Sequence, residues 1–118
     1  MKETVKLLEA GFESSSGKTP EFKHFARVFK KEFTTELKSV GVTDIIFSVG
    51  HFYISGFFTI NKQAYYFSIP DVRGFDNNRY KLLYRTAKDY KDYRGGHNRY
   101  AIIRFDMVTD MCYYFKTV

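Results

Sequence analysis

With 118 residues and a mass of 13.9 kDa the chain has the length of one domain, enough to bury roughly two-thirds of the surface its unfolded form exposes. A hydrophobic share of 44%, an aromatic share of 19% and only two prolines exclude a disordered chain, whose composition is poor in rings and rich in polar breakers. The formal charge of +6 and the sequence pI near 9.4 imply a surface that attracts polyanions, and they disfavour a DNA mimic, which needs an acidic one.

Cys112 is the single cysteine, so an intramolecular disulfide is excluded and a reducing, cytoplasmic setting is expected. No window approaches the roughly 18 apolar residues of a membrane span. The first residues, MKETVKLLEAGFE, carry acids and lack the apolar stretch and cleavage site of a secretory signal. An intracellular soluble protein with no membrane partner is the expectation.

Residues 3–10 are predicted as a short helix with Val5, Leu7 and Leu8 inward and Gly11 as its stop. Ser14, Ser15, Ser16 and Gly17 then form a connection. Thr19-Pro20-Glu21 is a helix start: a hydroxyl cap, a ring fixed at the first helical φ, and an acid on the positive end of the dipole. Phe22, Phe25, Ala26, Phe29, Phe33, Leu37 and Val40 recur at three- and four-residue steps and share one face, and Gly41 ends the helix. Lys23, His24, Arg27, Lys31 and Lys38 occupy its far side, to contact phosphates or, as is commoner for such a face, to stay solvated.

After Gly41 the period becomes two. Thr43 to Val49, Phe52 to Ile60 and Gln63 to Ile69 are rich in β-branched and aromatic residues, broken by Gly50-His51 and Asn61-Lys62, which predicts three antiparallel strands in a meander. In the second of them Phe52, Ile54, Gly56 and Phe58 form the greasier face, expected against the long helix, with Gly56 marking a bulge or a close crossing by that helix. Asp71 to Asn78 reads as a loop, and Tyr80 to Arg85 as a fourth strand. Thr86 and Asp89 then have capping-box spacing, predicting a short helix that Gly95-Gly96 ends, with Tyr90 and Tyr93 on one face in structural roles. From Ala101 to Phe115 two strands around a turn near Thr109-Asp110 compete with the helical spacing of Ile103, Met107 and Met111; the β-branched and aromatic content favours strands.

The fold expected is α+β, one domain over residues 1–118: an antiparallel sheet of about four to six strands, one long amphipathic helix packed on one face, and a short second helix. Oligomeric state stays open, because a tyrosine-rich strand edge can pair with a second copy.

The functional signal lies between Arg79 and Arg104. Eight basic residues there face only Asp89 and Asp92, and Tyr80, Tyr84, Tyr90, Tyr93 and Tyr100 are interleaved with them. Rings beside cations suit a single-stranded or structured RNA, whose bases stack and whose phosphates need positive charge. Gly95-Gly96 would let backbone amides approach a phosphate. Arg85, Lys88, Lys91, Arg94, His97 and Arg99, with Arg27 and Lys31 from the long helix, are the candidate nucleic-acid or partner contacts. The plainer reading puts the tyrosines at the core margin and the charges on a solvated rim.

His97 stands in a Gly-rich loop among Arg94, Asn98 and Arg99, a setting in which an imidazole could shuttle protons as in an RNA-cleaving enzyme, although a loop histidine is more often a bystander. No G-x-S-x-G is present, and Cys112 lies in an apolar run. No C-x-x-C, H-E-x-x-H or EF-hand spacing occurs, so a metal site would have to assemble from distant residues such as His24, His51, His97 or Cys112. No catalytic residue and no cofactor is expected.

FYISGFF (52–58), QAYYFSIPDVR (63–73) and LLYRTAKDYKDYRGG (82–96) resemble small proteins carried on plasmids and integrative elements of Gram-positive bacteria, among which are anti-CRISPR proteins that inhibit type II Cas9. The resemblance runs from about Pro20 to Asn98 and transfers no functional residue. It implies a protein of the bacterial cytoplasm that blocks an RNA-guided nuclease. The basic charge then favours binding to guide RNA, or docking on an acidic face of Cas9, over imitation of target DNA. An RNA- or DNA-binding module of a mobile element and a small guide-RNA-cleaving ribonuclease are the alternatives.

Overall fold

The computed structural model describes residues 1–10, 20–50, 52–73 and 79–104. In chain order these form α1 (Lys2–Ala10), α2 (Pro20–Ser39), β1 (Thr43–Val49), β2 (Ile54–Ile60), β3 (Gln63–Ile69), β4 (Arg79–Ala87) and β5 (Arg99–Arg104). The five strands pair antiparallel in the order β1-β2-β3-β4-β5, so the sheet is a meander and the class is α+β. The expected cap at Thr19, the centre of the loop after Arg73, and the tail beyond Arg104 lie outside the described residues.

The phenylalanine stripe of α2 behaves as its spacing requires: Phe22, Phe25, Phe29, Phe33 and Leu37 are all buried. They meet the sheet ring on ring. Phe33 lies 5.3 Å from Phe67 of β3 and 5.8 Å from Phe47 of β1, and Phe22 lies 4.9 Å from Phe52, separations at which aromatic pairs add to simple burial. The face of the sheet beneath the helix is the one expected, with Ile54, Phe58, Tyr65, Phe67, Ile69, Leu82, Tyr84, Ala101 and Ile103 in one core.

The helix stops one residue earlier than its stripe suggests. The amide of Val42 donates to the carbonyl of Leu37, and the amide of Gly41 to that of Lys38, with Gly41 at φ +90°. This is a Schellman ending, in which glycine takes the left-handed position and an apolar residue beyond it packs back on the last turn. Val42 is that residue and is buried; Val40, expected on the stripe, is 43% exposed.

Helix α1 is held by an arrangement its apolar residues do not announce. Thr4 and Leu8 are its buried positions, with Val5 and Leu7 only half-buried. Glu32 of α2 accepts hydrogen bonds from the Thr4 hydroxyl at 2.6 Å, the Thr4 amide at 2.7 Å and the Glu3 amide at 3.3 Å. A carboxylate from the neighbouring helix thus satisfies first-turn amides that no intrahelical carbonyl can reach. Burial pushes the Glu32 carboxyl upward, but the Thr4 and Glu3 donors outweigh it and hold the group below its ordinary range.

Of the two causes expected for Gly56, a bulge or a crossing by the helix, the helix is not the one found. A β-carbon there would lie 2.1 Å from the Ile46 carbonyl oxygen, so the backbone of β1, not the helix, demands glycine. The pairing of β1 with β2 is irregular between Thr43 and Ile46, where Asp44 has φ 53°. Among the described residues no helix is long and apolar enough to cross a membrane.

If the helix–sheet ring contacts carry the fold, Phe33→Ala loses about 3–5 kcal/mol in chemical denaturation. Val40→Ala, at the exposed end of the same stripe, changes stability by no more than about 0.5 kcal/mol. Equal losses for the two variants would show that the buried face is assigned wrongly.

Candidate nucleic-acid interface

Strand alternation sends Ser55, Phe57 and Thr59 of β2 away from α2, together with their partners on β3, such as Tyr66 opposite Phe57. Phe57 is nevertheless only 1% exposed. Its cover is the segment after β4, and that segment is not the helix that Thr86 and Asp89 suggest. Strand β4 runs on to Ala87, with Thr86 opposite Tyr65 and Ala87 opposite Ala64, and residues 88–98 follow as turns and bends. A helix of eight residues is marginal without packing. The irregular path brings two rings onto Phe57: Tyr90 stacks at 5.6 Å and Tyr93 stands edge-on at 5.2 Å.

Asp92 holds this loop in shape. Its carboxylate accepts the amides of Lys88 at 3.0 Å, Arg94 at 3.2 Å and Gly95 at 2.7 Å. Those donors, Lys88 first, lower its pKa against the opposing effect of desolvation, with a smaller contribution from the charge of Arg85. Asp89, the expected capping acid, accepts the Lys91 amide within a local turn instead. The Tyr90 hydroxyl is hydrogen-bonded to that of Thr59, and burial raises its pKa.

Arg85 requires a correction. It is 2% exposed, with its guanidinium 4.5 Å from the centre of the Tyr66 ring, donating to the Asp92 carbonyl at 3.0 Å and the Thr86 carbonyl at 3.4 Å. It is a fastener between sheet and loop, its guanidinium turned to internal partners instead of being displayed as expected. The glycine pair is also committed internally: Gly95 donates to Asp92 and Gly96 to the Thr86 carbonyl. A β-carbon on Gly95 would meet the Arg85 guanidinium at 2.0 Å, and one on Gly96 the Thr86 hydroxyl at 2.7 Å. These glycines serve close packing; their amides are not free to cradle a phosphate.

The remaining candidates, Lys88, Lys91, Arg94 and His97 of the loop and Arg99 at the start of β5, are exposed, and among the described residues no ion pair uses any of them. Tyr93, on the same loop, keeps 65% of its surface open. On the same side of the sheet Lys81 of β4 lies 4.7 Å from the exposed Tyr100 ring of β5. Arg27 and Lys31 are exposed on α2, which covers the opposite face. The fold therefore splits the candidate set, placing Lys88, Lys91, Arg94 and His97 on the β4–β5 loop and leaving Arg27 and Lys31 on α2.

Beside the loop is an open hollow of about 820 Å³, lined in part by Lys62, Gln63, Thr86, Lys88 and Arg94. Lys62 is not among the candidates that charge clustering singles out; its sequence signal is the two-residue connection Asn61-Lys62, whose residues adopt φ 49° and 69°. Such a hairpin turn favours Asn then Gly, so a lysine in the second position is the oddity to notice.

No group of three or more His, Cys, Asp or Glu residues able to hold a metal occurs among the described residues; His51 and Cys112 lie outside them. What the site offers is positive charge and one open ring on a fixed loop, the chemistry of polyanion and base contact.

The pKa of Asp92 is depressed by folding, so its contribution to loop stability is present above the unfolded value of about 3.9 and is lost as pH falls through the lower folded value. The Gly95 amide proton resonance should titrate with a midpoint below about 3.9 and lose that titration in Asp92→Asn. A midpoint at or above the unfolded value would contradict the arrangement.

Comparison of the chain with protein-family models, with curated proteins and with solved structures finds no match.

Proposed function

We propose that this protein is a stoichiometric inhibitor of a type II Cas9, acting in the bacterial cytoplasm by engaging guide RNA, or Cas9 carrying it, through the loop between β4 and β5. The observation that supports the reading is that Lys88, Lys91 and Arg94 and the ring of Tyr93 are all exposed on one short loop, with no ion pair among the described residues to neutralise the cations. Cations beside an unstacked ring suit RNA, in which bases are accessible and phosphates dense. The resemblance of segments 52–58, 63–73 and 82–96 to proteins of Gram-positive mobile elements supplies the nuclease as the target. Net charge of +6 favours the guide RNA, or an acidic patch on the nuclease, over mimicry of target DNA.

A ribonuclease reading has less support. His97 is exposed, and no hydrogen bond or ion pair from the described residues orients its ring, whereas a general base needs a fixed position.

Purified protein should reduce target-DNA cleavage by a type II-A Cas9 at near-equimolar amounts, leave guide RNA intact, and lose potency in the Lys88→Glu/Lys91→Glu/Arg94→Glu triple variant. Unchanged cleavage at large excess across several orthologues would remove the inhibitor reading. Retention on guide RNA alone, with affinity falling steeply as salt rises and no effect on cleavage, would leave an RNA-binding module; shortened guide RNA would instead restore the ribonuclease.

A further inference from the structure

We infer that the hollow between the β2–β3 hairpin and the β4–β5 loop is a subsite for the phosphate of a nucleotide, with Lys62 as its unrecognised member. The inference builds on the reading of Lys88 and Arg94 as polyanion contacts and adds a second element of the fold to them.

Three cations line the hollow from two elements: Lys62 from the hairpin tip, and Lys88 and Arg94 from the β4–β5 loop. One acid, Asp92, also lines it, but its oxygens already accept three backbone amides. Positive charge is therefore in excess inside a concave surface, where the field is stronger than on a flat one. The volume of about 820 Å³ falls within the range of small-ligand sites, large enough for a nucleotide and not only a bare ion. The framework is fixed: the Gln63 amide group donates to the Ala64 carbonyl at 2.8 Å and the Ala87 carbonyl at 3.0 Å, tying the hairpin to the end of β4.

Lys62 is the telling residue. It holds φ 69° at the turn position glycine prefers, and among the described residues its side chain makes no hydrogen bond or ion pair to compensate. Strain without an internal return points to an external one. Lys62→Gly relaxes the turn while removing the cation, so folding and binding are expected to move in opposite directions.

Binding of three probes to wild type and Lys62→Gly tests this: a short single-stranded RNA with a 5′-phosphate, the same RNA with a 5′-hydroxyl, and free AMP. The expected result is an unchanged or raised melting temperature for Lys62→Gly with RNA affinity weakened about fivefold, the size of one exposed charge pair. A loss confined to the 5′-phosphorylated RNA marks a terminal phosphate; equal losses on both RNAs mark an internal phosphodiester. Lys62-dependent binding of AMP without RNA binding keeps the subsite and removes the guide-RNA reading. RNA binding that is identical in wild type and Lys62→Gly overturns the subsite and leaves the inhibitor reading standing. Binding of none of the probes by the wild type overturns the subsite.

Discussion

Phe57 sets the central constraint on this molecule. It points away from α2 and is still almost completely buried, so the far side of the sheet holds a ring that the long helix does not cover. The second cover is an irregular loop whose Tyr90 and Tyr93 lie on Phe57. Arg85 enters as a consequence. Its guanidinium sits on the Tyr66 ring and reaches the carbonyl of Asp92, and a buried cation persists only where its donors are satisfied. Asp92 closes the circuit from the other side by collecting three amides.

That arrangement turns a stability requirement into a display. Atoms directed inward from the loop are occupied with Phe57, Tyr66 and Thr86, and what remains outward is Lys88, Lys91, Arg94 and the open side of Tyr93. Cations on a loop fixed at several points lose less freedom on binding than cations on a free tail. The basic face of α2 has a different character: Lys23, Arg27, Lys31 and Lys38 stand on the far side of a helix whose inward face is committed to the core. A ligand surface that touches the loop cannot also lie flat against that helix face.

Most of the architecture was legible because it is local or periodic. Phe22 to Leu37 follow the helical period, Gly41 ends the helix as a glycine should, and Thr43 to Val49 and Gln63 to Ile69 are strands with the limits their composition implies. The site was legible in content but not in form. Thr86 and Asp89 have the spacing of a helix cap, yet Thr86 belongs to a strand because Tyr65 lies opposite it, and that pairing is a long-range fact. The burial of Arg85, the packing role of Gly95 and Gly96, and the place of Lys62 beside the loop likewise depend on which strands meet. The capping of α1 by Glu32 was hidden for the same reason.

Under the proposed function the loop face, and not the α2 face, would receive RNA. Mapping amide chemical shifts during titration with guide RNA tests it most directly. The largest changes are expected at Lys62, Lys88, Lys91, Tyr93 and Arg94, while Lys23, Arg27 and Lys31 stay near their free positions. Changes concentrated on Lys23 to Lys31, with the loop unmoved, would contradict it.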